Sequence, residues 1–352
     1  MTALMVEANR ADIRAVMRSR QRGDRRRAAL VISGAAVALL TGIAATLTLG
    51  GSASIPSAKL LPALIGEGRG LANYVIFETR EPRALGAALA GALFGLSGML
   101  YQRVARNPLA TPDIIGITSG AGTGAVIIIV VMPSAGLGIP LSALIGALVT
   151  VGLVVAFSWR QGLDTYRLIL VGIGMSAVAD SITAYLLTRA DLRATAAATR
   201  WTIGTVAGLE WSDVARLAVL LLVTGSIAVA ISRGLGGLAM GDDLASGLGI
   251  RVTTVRLVVL GIGATAAAIT TSVVGPIGFV SLIAGPIAVR LLPRGPQLPV
   301  AVLVGGLIVI WSDVIAQNAP LISPIPTGVL TAIIGAPVFI WLLLRTRAGT
   351  VG

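Results

Sequence analysis

Cysteine and histidine are both absent from the 352 residues, and lysine occurs once, as Lys59. The chain therefore has no disulfide, no thiolate metal site and no cysteine nucleophile, and it lacks the commonest general base. A phosphate-binding P-loop needs Gly-Lys-Ser/Thr, whereas Lys59 stands between Ala58 and Leu60. These absences exclude ATP hydrolysis by P-loop machinery and argue against an intramembrane enzyme.

Charged side chains are scarce as well. Only 12% of the residues are charged, 55% are hydrophobic, and the mean hydropathy is +0.92. A soluble domain carries about 25% charged residues, so this chain has too little charge for a water-facing surface. The 44 glycines and 16 prolines are scattered through apolar runs and form no repeats. The composition predicts an all-α protein that crosses a membrane several times.

Ten apolar segments are candidates for spanning helices, which need about 20 mostly apolar residues. They are 28–50, 82–103, 113–132, 139–158, 167–187, 213–232, 255–273, 277–292, 298–316 and 326–344. The eighth is short and lies between Pro276 and Pro293, and the stretch 255–292 admits a different division. No stretch between these spans is long enough to form a separate soluble domain.

The basic residues predict the orientation. If the N-terminus is cytoplasmic, 19 of the 27 basic residues lie on or beside cytoplasmic segments and 8 lie outside. Because basic residues concentrate on the cytoplasmic side, both termini are predicted to be cytoplasmic. The layout is a tail at 1–27, one transmembrane domain at 28–345 with a cytoplasmic loop at 233–254, and a tail at 346–352. This topology and anionic lipid headgroups account for the net charge of +12 without nucleic acid.

The tail at 1–27 carries eight arginines, and the apolar stretch after it is longer than that of a secretory signal. We therefore interpret 28–50 as a retained first span. Arg10, Arg14 and Arg18 recur every four residues, which fits a basic helix on the membrane surface. A disordered tail fits the sequence equally well.

Two carboxylates fall inside predicted spans, where a charge costs free energy. Asp180 lies in the fifth span and Asp313 in the ninth. A proton-coupled transporter would use such groups as relays; alternatively, each caps its helix or forms hydrogen bonds within the bundle near the outer side. Glycines at four-residue spacing, such as Gly91 and Gly95, predict close packing of helices.

The second predicted span has a distinctive sequence at each end. Arg80 and Arg83 stand at its outer mouth, where they either pair with carboxylates of a docking protein or extend to the membrane interface. At its cytoplasmic end, the segment 106–112 is predicted to be a tight turn, because its two prolines do not allow the helix to continue.

The segment 241–249 reads GDDLASGLG and is predicted to form a short helix between glycines. Acidic residues in its first turn suit the helix dipole. Leu244, Ala245 and Leu248 are predicted to share one side. Such a helix on the cytoplasmic face can fit a groove of another protein.

Six sequence blocks, in this order, carry a family resemblance. They are REPR at 80–83, SGxxxQ at 97–102, RNPLATPDIIGITSGA at 106–121, GDDLASGLG at 241–249, GPIGFVSLIA at 275–284 and PTGVLTAIIGAPVFIWLL at 326–343. With these blocks the chain resembles the FecCD family, the membrane permeases of bacterial ABC importers for ferric siderophores, haem and cobalamin. The resemblance extends from about residue 80 to the end of the chain.

The resemblance implies a type II ABC importer permease fold. Two permeases would pair around a central path, two ATPase subunits would bind ATP and Mg²⁺ on the cytoplasmic side, and a binding protein would deliver the substrate. The implied coupling residues are Gly241, Asp242, Asp243, Ala245, Leu248 and Gly249. Arg80 and Arg83 would face the binding protein. The implied cytoplasmic gate comprises Asn107, Pro108, Leu109 and Thr165. The resemblance implies no catalytic residue, metal ligand or cofactor in this chain.

The sequence departs from the family pattern at three places. The segment 285–290 reads GPIAVR and lacks the usual histidine. Pro324 stands where many members have an acidic residue, and Gln317 where some relatives have an outer arginine. The reduced docking charge favours one member of an unequal pair of permeases over a homodimer.

We therefore expect a permease subunit of an ATP-driven importer that moves a ferric siderophore across the cytoplasmic membrane of a bacterium. The alternative is a proton-coupled secondary transporter that uses Asp180 and Asp313. Neutralising both carboxylates would abolish uptake by such a carrier, whereas an ATP-driven importer would be affected mainly through its folding.

Overall fold

A computed structural model describes residues 2–49, 62, 71–132, 138–159, 165–238, 240–319 and 325–347. Thirteen helices follow one another in this part of the chain. They are α1 (Thr2–Leu49), α2 (Leu71–Ala105), α3 (Ile117–Val131), α4 (Gly138–Ser158), α5 (Thr165–Arg189), α6 (Leu192–Ile203), α7 (Trp211–Ala230), α8 (Ser232–Leu238), α9 (Asp242–Gly247), α10 (Val252–Val274), α11 (Val280–Leu291), α12 (Gln297–Asn318) and α13 (Thr327–Arg347). A π-helical turn, Val75–Arg80, lies within α2, and a 3₁₀ turn, Pro112–Ile115, precedes α3.

The prediction of an all-α membrane protein is confirmed. Within the described residues, eight helices are long and apolar enough to cross a membrane, and α3 and α11 are shorter apolar helices. These ten helices correspond to the ten predicted spans. The eighth is short, as expected: α11 has 12 residues and lies between Pro276 and Pro293.

Helix α6 was not predicted as an element. It is amphipathic, with Ala194 and Ala198 buried and Arg193 and Arg200 exposed. Asp191 begins it, because its carboxylate accepts a hydrogen bond from the backbone N–H of Ala194 at 2.7 Å. Alanine, threonine and arginine dominate this segment, so a search for apolar runs does not detect it.

Helix α1 covers both the predicted tail and the first predicted span, because its backbone is helical from Thr2 to Leu49. It packs along α12, where the indole N–H of Trp311 donates to the carbonyl of Ala38 at 3.2 Å. The boundary between tail and membrane domain stays a prediction. From residue 348 onward, the predicted C-terminal tail lies outside the described residues.

Helix α2 occupies the centre of the bundle. In the most apolar 18-residue stretch of α2, 89% of the residues are buried, compared with 11% in the corresponding stretch of α1. Lipid tails are as apolar as leucine, so close packing has to hold such helices together. A β-carbon added to Gly91 would lie 2.2 Å from the carbonyl oxygen of Gly305 in α12, and one on Gly305 would lie 2.1 Å from that of Gly91. The glycines therefore bring the two backbones into contact.

Replacing Gly91 by alanine is expected to destabilise the protein by about 1–3 kcal/mol, because the methyl group meets the backbone of α12. Gly225→Ala in α7 is the matched control, since nothing lies within 4 Å of a β-carbon there. Alanine at that position is expected to be neutral or stabilising by up to about 1 kcal/mol. Thermal unfolding in detergent measures both. A Gly91→Ala melting temperature equal to that of the wild type would contradict the contact.

Candidate functional site

The end of the bundle that is predicted to be outside contains a buried ion pair. Arg83 Nη2 and Nε donate to the two carboxylate oxygens of Asp313 at 2.8 and 2.9 Å. The same carboxylate accepts hydrogen bonds from Gln317 Nε2 at 2.6 Å and Thr327 Oγ1 at 2.9 Å, and Asp313 is fully buried. Four donors therefore satisfy Asp313, and they join α2, α12 and α13.

Arg80 also points into the protein. Only 5% of this residue is exposed, and Nη1 donates to the carbonyl of Leu47 at 2.7 Å near the end of α1. The guanidinium groups of Arg80 and Arg83 thus hold helices of this chain together. Their docking to a binding protein stays a prediction, and these contacts favour a structural role.

The two intramembrane carboxylates have different surroundings. Asp313 is buried and bound by four donors, whereas Asp180 lies on an exposed part of α5. Asp180 has no hydrogen bond or ion pair among the described residues. In the part of the chain that is described, no contact joins the two carboxylates into a relay.

The end of the bundle that is predicted to be cytoplasmic has a second cluster of charges, centred on Asp242 at the start of α9. Its carboxylate accepts a hydrogen bond from Arg256 Nη2 of α10 at 2.9 Å and also pairs with Arg106 at the end of α2. The hydrogen bond from Arg256 is the largest cause that lowers the pKa of Asp242 from its ordinary value of 3.8. The carboxylate is therefore charged at neutral pH, and it connects three helices.

The tight turn expected at 106–112 comes directly after the end of α2. Arg106 ends α2 in the left-handed conformation, with φ of 49°. The side-chain oxygen of Asn107 then accepts from the backbone N–H of Leu109 at 2.9 Å, which fixes the turn around Pro108. Asn107, Pro108 and Leu109 line a cavity of about 470 Å³ between α2, α11 and α13. Their gating role stays a prediction.

Thr165, the remaining gate candidate, is the first residue of α5. Its side chain lies outside the described part of the structure. Its gating role therefore also stays a prediction.

Helix α9 and the residue after it present exposed leucines at the end of the bundle that is predicted to be cytoplasmic. Leu244 and Leu248 are 64% and 67% exposed, and Met240 beside them is 63% exposed. The expectation that Ala245 lies on the same side is wrong, because Ala245 is fully buried and its carbonyl accepts from the N–H of Ile250 at 3.0 Å. Because alanine is small, α9 can pack closely against the rest of the protein at this position.

The remaining coupling candidates lie around this helix. Gly241 precedes α9 with φ of 108°, and Gly249 follows it with φ of 79°, so both glycines adopt a backbone conformation that other residues rarely do. Asp243 is exposed in the first turn. The connections from Asp242 to Arg106 and Arg256 were missed by sequence reasoning, because Arg106 lies 136 positions away and Arg256 lies 14 positions away on the next helix, where no local pattern predicts a pair.

Comparison with known proteins gives the family. The model of the FecCD transport family matches residues 37–345. The chain belongs to the FecCD transport family. A FecCD relative, the ferric enterobactin transport system permease protein FepG of Escherichia coli, is 33% identical over 317 residues, which cover 90% of this chain and 94% of the relative. The Fe(3+) dicitrate transport system permease protein FecD of the same species is 34% identical over 278 residues, covering 78% and 86%.

Two solved structures are similar. One is described as an inward-facing conformation of a metal-chelate type ABC transporter, with a TM-score of 0.79 and 28% identity over 90% of this chain and 99% of the other. The other is PsaBC from Streptococcus pneumoniae in complex with Fab, with a TM-score of 0.53 and 14% identity over 73% and 88%. The second likeness shows the fold alone. The FecCD assignment agrees with the transport function expected from the sequence and does not favour a proton-coupled carrier.

Replacing Arg83 by alanine is expected to destabilise the protein by about 3–5 kcal/mol, because Asp313 would stay buried without its cation. Asp180→Asn removes an exposed carboxylate that has no hydrogen bond or ion pair among the described residues, and it is expected to change stability by less than about 0.5 kcal/mol. Thermal unfolding of the purified variants compares them. Equal effects of the two substitutions would contradict a structural role for the Arg83–Asp313 pair.

Proposed function

We propose that this chain is the permease subunit of an ATP-driven importer that carries a ferric siderophore across the cytoplasmic membrane of a bacterium. The observation that carries the proposal is its similarity, over most of both chains, to permeases of ferric enterobactin and ferric dicitrate systems. The likeness to a metal-chelate type ABC transporter supports the same class of cargo.

The energy would come from partner subunits. The chain has one lysine and no Gly-Lys-Ser/Thr sequence, so two separate ATPase subunits would bind ATP and Mg²⁺. Leu244 of α9 and Leu248, which directly follows α9, are exposed on the side predicted to be cytoplasmic. We assign α9 as the helix that the ATPase receives in a groove.

The contacts of Asp242 provide a route from the ATPase to the gate. Asp242 pairs with Arg106, and Arg106 directly precedes the turn that contains Asn107 and Leu109. A displacement of α9 therefore acts on the end of α2 and on the cavity-lining turn. Because Asp242 contacts Arg106, we assign coupling to α9 and gating to the adjoining turn after α2.

The other partners would lie in the membrane and outside it. A second permease would complete the pathway, and the absence of charge at Pro324 and Gln317 favours a heterodimer. A binding protein would deliver the chelate from the outer side. The predicted layout, with tails at 1–27 and 346–352 in the cytoplasm, places α9 opposite that binding protein.

Uptake of a radiolabelled ferric siderophore into proteoliposomes tests the proposal. The complete importer, with both permeases, the ATPase and the binding protein, is expected to accumulate the chelate only with ATP. Collapsing the proton gradient is expected to leave uptake unchanged. Accumulation by this chain alone, driven by a proton gradient, would contradict the proposal and favour the secondary transporter.

Replacing both Leu244 and Leu248 by serine is expected to weaken ATPase binding by roughly 100-fold. Two leucines that become buried in the groove of the ATPase would together contribute about 3 kcal/mol to binding. Leu192→Ser is the matched control, since Leu192 is 87% exposed on α6, at the end of the bundle predicted to be outside. Copurification of the ATPase with each variant measures the effect. Unchanged copurification with the double variant would mean that α9 is not the docking helix.

A further inference from the structure

Two cavities lie one after the other along α13, and the first of them is also bordered by Asp113 before α3 and by Thr202 at the end of α6. The outer cavity, of about 500 Å³, includes Phe279 before α11 and Ile333 on the first half of α13. The inner cavity, of about 470 Å³, includes Val289 on α11 and Leu342 on the second half of α13. Because both helices run toward the cytoplasm in the predicted topology, one cavity lies above the other.

The side chain of Phe279 borders the outer cavity and packs against Gly335 of α13. A β-carbon added to Gly335 of α13 would lie 2.4 Å from the Cβ and 2.9 Å from the Cγ of Phe279, so the phenylalanine fills the place of a side chain at 335. Gly335 is buried, and it comes after the α13 residues that line the outer cavity and before those that line the inner one. The contact thus lies at the level where the outer cavity ends.

A polar contact holds the first turn of α11, which follows Phe279 in the chain. Gln102 Nε2 of α2 donates to the carbonyls of Ser281 and Leu282 at 3.2 and 3.0 Å. Gln102 itself lines the inner cavity. The first turn of α11 is thereby fixed to the central helix two and three residues after Phe279.

The backbone of Phe279 is unusual. Its φ of 68° and ψ of −25° lie in the left-handed region, which costs a residue other than glycine free energy. Its carbonyl accepts from the N–H groups of Leu282 and Ile283 at 3.1 and 3.0 Å, so Phe279 begins α11. A glycine would adopt this conformation without strain, yet the chain has an aromatic ring here and places it against Gly335.

We propose that Phe279 is the floor of the outer cavity and separates it from the inner cavity until transport occurs. The inference rests on the proposed function, because it treats the two cavities as the outer and inner parts of this permease's share of the pathway. A bulky metal chelate in the outer cavity would have to displace the ring from Gly335 to reach the inner cavity. Phe279 is therefore a barrier residue of the pathway.

Because this chain has no cysteine, a single cysteine introduced into it can be labelled and followed on this subunit in the complete importer in proteoliposomes, without nucleotide. Ala332→Cys reports on the outer cavity and Val289→Cys on the inner cavity. A membrane-impermeant maleimide is added from the side of the binding protein. With Phe279 intact, we expect Ala332→Cys to be labelled and Val289→Cys to be protected.

Phe279→Gly in the Val289→Cys background is expected to abolish that protection, because glycine keeps the backbone conformation and removes the ring. Gly335→Ala is a second variant, in which the added methyl displaces the ring. Phe157→Ala is the matched control, since Phe157 is 67% exposed on α4 and lines neither cavity. Labelling of Val289→Cys is expected to stay absent in the control.

Continued protection of Val289→Cys in both the Phe279→Gly and Gly335→Ala importers would overturn the inference, as would an Ala332→Cys importer that is not labelled. ATP-driven uptake by the wild-type importer is measured in parallel. If the wild type accumulates the chelate while the labelling results are negative, only the barrier assignment fails. If the wild type does not accumulate it, the proposed function fails.

Discussion

The structure depends on backbone contact between α2 and the helices around it. In a membrane, apolar side chains gain little by leaving lipid for protein, so helices associate through close packing and hydrogen bonds. Gly91 and Gly305 allow α2 and α12 to approach until only backbone separates them, and Gly98 does the same for α2 and the carbonyl of Ser281 in α11. The central helix is therefore held at a fixed height relative to its neighbours.

That fixed helix serves both sides of the membrane. At the outer side, Arg83 pairs with Asp313 and connects α2 to α12 and α13. At the cytoplasmic side, Gln102 holds the start of α11, and Arg106 pairs with Asp242 of α9. The outer ion pair is buried, whereas the inner one is partly exposed. The Arg106–Asp242 ion pair therefore breaks more readily than the buried Arg83–Asp313 ion pair.

The sequence predicted the architecture well because long apolar runs carry that information locally. Even the short α11 was expected, since Pro276 and Pro293 limit it. The sequence could not predict the partner of Arg83, because Asp313 lies 230 positions away. It also placed Ala245 on the wrong side of α9, because the packing of a six-residue helix depends on its neighbours and not on its own pattern. The left-handed conformation of Phe279 has no signal in the residue type, since glycine is the usual choice there.

One carboxylate shared by two guanidinium groups has a mechanical consequence. Asp242 and Arg106 have side chains that are 45% and 43% exposed, whereas Arg256 is 17% exposed. An exposed ion pair contributes up to about 1 kcal/mol, so Asp242 can release Arg106 at little cost while Arg256 retains it. In the proposed function, α9 would therefore stay attached to α10 through Arg256 while its contact with the end of α2 breaks and forms again, and Asp242 would keep a cationic partner throughout.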